Sequence, residues 1–96
     1  MSDVITTAVE ALNTKIDGGF AAGTAKFVIE GEGAIVIDGD GAREADDDAD
    51  VTLTADVDTF KGMLDGSVNP TAAFMGGSLS VDGDMGLAMQ LGAALA

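Results

Sequence analysis

The chain has 96 residues, enough for one domain with its own core and too few for two, since independent domains mostly run from about 50 to 200 residues. Hydrophobic residues make up 47% and charged ones 22%, the balance of a chain that folds rather than of a disordered acidic tail. Lys and Arg number 4 against 17 Asp and Glu, and the resulting formal charge of −13 repels nucleic-acid phosphates and removes the usual basic attraction to an anionic bilayer.

Ser2 or Asp3 caps a first predicted helix, because a short oxygen side chain accepts the unpaired amide protons of an opening turn. Val4, Ile5, Ala8, Val9, Leu12 and Ile16 then recur at helical spacing, with Asp3, Glu10 and Lys15 outside that stripe. Asp17-Gly18-Gly19 should stop this helix, since glycine admits a left-handed backbone. From Thr24 the period changes to two. Ala25, Phe27 and Ile29 alternate with Lys26 and Glu30, Glu32-Gly33 turns the chain, and Ile35 and Ile37 belong to a second strand. Gly39-Asp40-Gly41 is another turn signal, followed by a short third strand from Ala42 to Ala45. The run Asp46-Asp47-Asp48-Ala49-Asp50 repels itself too strongly to be buried and reads as a loop.

Val51 to Ala55 is a fourth predicted strand, after which Asp56 caps a helix with Val57, Phe60, Met63 and Leu64 on its inner side, ended by Gly66. Asn69 caps and Pro70 opens a short helix through Thr71 to Met75, proline lacking only an amide proton that would be unpaired there anyway. Ser78 to Val81 is the fifth strand, and Asp84 caps a last helix reaching roughly Leu95.

Asp50-Val51-Thr52-Leu53, Phe60, Gly66, Asn69-Pro70, Phe74-Met75-Gly76, Leu79, Val81 and the run Gly83-Asp84-Met85-Gly86-Leu87-Ala88-Met89-Gln90-Leu91 together resemble the sterol carrier protein type 2 family, small sterol- and lipid-binding domains. The likeness is close over the C-terminal half and topological before it. It implies an α/β fold of the α+β type: a five-stranded, mainly antiparallel sheet covered by helices chiefly on one face and enclosing a hydrophobic tunnel. Members of that family often carry lysines around the strand before the last helix. Gly77, Ser80 and Gln90 stand at or near those places here, so the resemblance gives no basic membrane contact at them.

Chemistry is otherwise sparse. Without cysteine or histidine there is no disulfide, thiolate metal site, thiol nucleophile or imidazole base. The pairs Glu30 with Glu32 and Asp82 with Asp84 are explained by a hairpin turn and a helix cap. A calcium loop fails on residue order: Ala42 fills a ligand position after Asp38 and Asp40, while Val51 and Val57 replace the glycine and the glutamate that Asp46, Asp48 and Asp50 would need. No strand leads into a glycine-rich phosphate loop. No enzyme activity, metal or cofactor is therefore expected. The chain opens on no basic segment with a long apolar run, and its longest uncharged apolar run, Met85 to Ala96, falls short of the ~20 residues that span a bilayer. A cytoplasmic location is expected. The acidity suits either a high-salt proteome or an ordinary acidic cytosolic protein.

What remains is apolar. Met63, Met75, Met85 and Met89 all fall in the C-terminal half, and the flexible thioether of methionine fills changeable spaces better than branched side chains. In the last helix only Gln90 is distinctly polar, and Met85 with Met89 and Leu87 with Leu91 and Leu95 form two neighbouring ridges, more apolar surface than one packing face requires. With the resemblance, residues 1–96 read as a single domain that binds, without catalysis, fatty acyl chains or sterol-like molecules and transfers them within the cell. The expected ligand contacts are Phe27, Ile37, Phe60, Met63, Leu64, Phe74, Met75, Leu79, Val81, Met85, Met89 and Gln90. The partners implied are a lipid-like small molecule and at most a weak or transient membrane contact, with oligomeric state open. The alternative is an interaction module whose apolar last helix is a dimer or partner face.

Overall fold

The structure, a computed structural model, describes residues 3–16, 20 and 23–95, with Leu95 described by its backbone alone. Nine elements follow in chain order: α1 (Asp3–Lys15), β1 (Ala25–Ile29), β2 (Gly33–Asp38), β3 (Gly41–Glu44), β4 (Val51–Ala55), α2 (Val57–Asp65), α3 (Pro70–Met75), β5 (Leu79–Gly83) and α4 (Met85–Leu95). Asp3 lies inside the first turn of α1 rather than at its cap; Ser2 and the expected Asp17-Gly18-Gly19 stop fall outside the described residues. The first hairpin turns at Glu30 to Glu32, one residue earlier than expected, and Gly33 already pairs with Ile29.

The five strands form one sheet in the order β3-β2-β1-β4-β5. Three of its four pairings are antiparallel, as expected of a mainly antiparallel sheet, and β1 with β4 is parallel, so the sheet is mixed. Asp50 holds the start of the parallel pair. Its backbone N–H donates to the Thr24 carbonyl at 3.0 Å, and its Oδ2 accepts from the Thr24 N–H at 3.2 Å. The acidic loop from Asp46 to Asp50 thus carries the chain across to a fixed anchor.

Because side chains alternate across a strand, the register puts Ala25, Phe27 and Ile29 on the same face as Ile35, Ile37, Val51, Leu53, Ala55, Leu79 and Val81. The helices pack on that face. Ile5, Ala8 and Leu12 of α1 and Phe60 and Met63 of α2 are buried with it, and the Phe60 ring meets Phe27 edge-on with centroids 5.1 Å apart. The core contains no buried polar or charged residue among those described. Lys26, Val36, Arg43, Thr52 and Asp82 share the opposite face. There Lys26 pairs with Asp46 at 3.0 Å and Arg43 with Asp38 at 2.8 Å, and Val36 lies buried between its register partners Lys26 and Arg43.

The β3 edge is closed by a side chain. The Asn13 amide of α1 donates to the Ala42 carbonyl at 3.0 Å and accepts from the Ala42 N–H at 2.8 Å, replacing the strand that this edge lacks.

Candidate functional site

The segment from Asn69 to Gly92 builds three walls. Asn69 Oδ1 accepts from the N–H groups of Thr71 and Ala72 at 2.9 and 3.1 Å, starting α3 where Pro70 is already set for a helix. After one and a half turns Gly77, at φ 84°, reverses the chain, and Ser78 N–H donates to the Ala73 carbonyl at 2.9 Å, so that β5 runs directly beside α3. Gly83, at φ 107°, then lies so close to the Asp50 carbonyl that any side chain would strike it. Asp84 N–H donates to that same carbonyl at 3.1 Å, and Asp84 Oδ1 accepts from the Leu87 N–H at 3.2 Å to open α4. Asp50, Gly83 and Asp84 therefore hold the fold together at the point where the third wall begins.

Between these walls is a groove of about 220 Å³, open to solvent along one side. Leu53, Leu79 and Val81 form its floor, Pro70, Thr71, Phe74 and Met75 one side, and Met85, Ala88, Met89 and Gly92 the other. Four large apolar side chains at its lips stay in water: Phe74 at 40% exposure, Met75 at 81%, Met85 at 42% and Met89 at 64%. Holding that much apolar surface wet costs free energy, and contiguous exposed apolar patches on small folded proteins mark sites of contact. Thr71 supplies the one hydroxyl among the described lining residues, and none of those residues is charged.

Of the expected ligand contacts, Phe74, Met75, Leu79, Val81, Met85 and Met89 come together in this groove. Phe27, Ile37, Phe60 and Met63 are sealed in the core behind it, while Gln90 is exposed on α4 outside the lining. Leu64 is half-buried and, with Phe60, Val4 and the exposed Asp3, Thr7 and Lys61, borders a separate open surface cleft of about 230 Å³ between α1 and α2. Leu53, Pro70, Thr71, Ala88 and Gly92 line the groove without being among the expected contacts. Gly92 and Ala88 carried a usable signal, since they continue the Met85–Met89 ridge at helical spacing. Leu53 carried none, because its place beside Val81 depends on a strand register that sequence does not display.

The shifted carboxylates lie away from the groove lining. The Arg43 guanidinium and the Asp40 N–H hold Asp38 below its ordinary value of 3.8. Hydrogen bonds from the N–H and hydroxyl of Thr59 do the same for Asp56, and those from the hydroxyl and N–H of Ser67 for Asp65. These are structural anchors of turns and caps. Among the described residues no three carboxylates converge as a metal site, and no helix is long and apolar enough to cross a membrane.

Residues 9–96 match the SCP-2 sterol transfer family. The chain belongs to that family. Among curated relatives, hydroxysteroid dehydrogenase-like protein 2 of Danio rerio is 49% identical over 43 residues, which are 45% of this chain and 10% of that protein. The Homo sapiens protein of the same name is 44% identical over 48 residues, 50% of this chain and 12% of that one. The matched stretch thus spans about a tenth of those relatives' length. Solved structures share the fold at low identity. Sterol carrier protein 2 of Aedes aegypti in complex with palmitate has a TM-score of 0.78 at 21% identity, covering 100% of this chain and 97% of that one. The apo form from Yarrowia lipolytica has a TM-score of 0.68 at 20% identity, covering 95% and 75%.

Proposed function

We propose that the chain is a single-domain, non-catalytic carrier that binds acyl chains or sterol-like molecules with their apolar part laid along the groove. The observation that carries this reading is the wet apolar lip formed by Phe74, Met75, Met85 and Met89 over an uncharged floor. Family membership supports it, as does the palmitate held by the Aedes aegypti protein of the same fold. The groove is smaller than the ~300–1,000 Å³ of most ligand pockets, and three of its lips are methionines, unbranched side chains that swing aside at little cost. Each methylene removed from water contributes about 0.8 kcal/mol, so ten to twelve give about 8–10 kcal/mol before ordering costs, without any charged contact.

A fluorescent acyl-ester probe titrated into the protein tests the reading. A saturable signal at tens of micromolar or below, displaced by unlabelled lipid, is the expected result. Met89→Asp should abolish it while leaving the fold intact, because Met89 is 64% exposed and its replacement buries no charge in the apo protein. No saturable binding of any lipid class would refute the proposal. The same lips would also suit a subunit interface. Sedimentation with and without lipid separates the two uses, since a dimer that persists with lipid bound and is broken by Met75→Asp would favour the interface.

A further inference from the structure

We propose that this groove selects lipids with an uncharged head, such as an alcohol, a sterol hydroxyl or an ester, against ionised fatty acids. The inference rests on the lipid-binding reading above and concerns what the same site accepts at its mouth.

A carboxylate drawn into the groove needs a cation or several N–H donors, because its desolvation is otherwise uncompensated, and one held at the open side still meets the charge of the chain around it. Among the described residues the groove lining holds no cation. The four side-chain cations of the chain are Lys15, Lys26, Arg43 and Lys61, and none is among the described lining residues. Lys26 and Arg43 lie on the opposite face of the sheet and are already paired with Asp46 and Asp38. Lys61 borders the separate surface cleft between α1 and α2, and Lys15 ends α1.

Helix starts are the other source of anion-binding donors, and two of them adjoin the groove. The first is filled by the chain itself, and the second carries a carboxylate of its own beside its remaining N–H groups. Asn69 Oδ1 takes the N–H groups of Thr71 and Ala72 at the start of α3, and the Asp84 carboxylate takes that of Leu87 at the start of α4. Asp84 also sets a negative charge immediately before Met85, a lip residue, on a chain whose net charge is −13. An anionic head would meet that carboxylate's repulsion at the start of α4. A hydroxyl or ester needs one polar neighbour, and Thr71 Oγ1 or water provides it.

The test compares lauryl alcohol with laurate as competitors of the acyl-ester probe at about pH 8, where the fatty acid is ionised. The alcohol should bind at least about tenfold more tightly than the acid. The ratio should shrink as salt rises. It should also shrink in Asp84→Asn, which keeps the capping oxygen but not the charge, and should fall furthest in Thr71→Lys, which places a cation in the lining. Equal or tighter binding of laurate to the unmodified protein would overturn the selectivity, and a ratio unmoved by salt and by both variants would overturn its origin in the charge of the groove mouth, each while leaving lipid binding in place. If neither competitor displaces the probe and the probe itself does not bind, the lipid reading falls and the selectivity with it.

Discussion

One sheet face is sealed at one end and open at the other. Under α1 and α2 it is closed by Ile5, Leu12, Phe27, Ile35, Ile37 and Phe60, branched or aromatic side chains that interlock and leave none of their surface to water beyond 1%. Under α3 and α4 it is covered by a helix of six residues and another of eleven, and the side chains over the floor are mainly methionines exposed by 42% or more. Both ends are apolar. They differ in whether the shapes fit, and shape rather than composition separates a core from a binding site. Met63 makes the point from within: it is the same residue type as the lips, yet it lies in the sealed end at 2% exposure.

The largest expected break of this comparison is Phe27→Ala. Removing a buried ring that packs edge-on against Phe60 should cost about 3–5 kcal/mol, a large part of the ~5–15 kcal/mol that holds a domain folded. Urea unfolding measures it, and a loss below about 1 kcal/mol would show that the sealed end is not tightly packed. Asn69→Ala acts on the open end instead. It strips two N–H groups of their partner and should cost about 1 kcal/mol, with weaker lipid binding because α3 is one wall of the groove. Retained affinity despite lost stability would detach α3 from the site.

Charge gives smaller effects. Rising salt should raise the melting temperature, because screening shortens from about 10 Å at 0.1 M to about 3 Å at 1 M and eases repulsion among Asp46, Asp47, Asp48 and Asp50. Acid should act through Asp38, Asp56 and Asp65, each held below 3.8 in the fold. Their stabilising contribution is complete above that value and is lost as pH falls through their lowered values, so melts recorded from about pH 4 to about pH 2 should show it. Replacing Asp38 and Asp65 with Asn should flatten that acid limb; an unchanged limb would exclude these anchors as its source. Smallest for stability is Met75→Ala, within about 0.5 kcal/mol at an 81% exposed position. It should nonetheless weaken lipid binding measurably, since it removes a lip.

Local signals carried most of the fold. Asp56 and Gly66 bracket α2, Asn69-Pro70 starts α3, Asp84 starts α4, and β4 spans the residues its pattern predicts, because caps and alternation are written in neighbouring residues. The parallel pairing of β1 with β4 was not legible. It joins Phe27 to Leu53 across two intervening strands, and nothing local encodes it. The same limit applies to the site. The two ridges of α4 separate as their spacing suggests, Met85 and Met89 to the groove and Leu87 and Leu91 to the core, but which strand residues sit beneath each ridge depends on the sheet order. Hence Phe27, Phe60 and Met63 share the chemistry of the lips and lie behind the wall, whereas Leu53 reaches the floor.

The methionines offer the most direct measurement, because their methyl groups report from both ends of the sheet at once. With methyl-labelled methionine, the resonances of Met75, Met85 and Met89 should shift saturably as lauryl alcohol is added, and that of Met63 should stay in place. A saturable shift of Met63 with the three groove methyls unmoved would put the ligand in the sealed end and contradict the account.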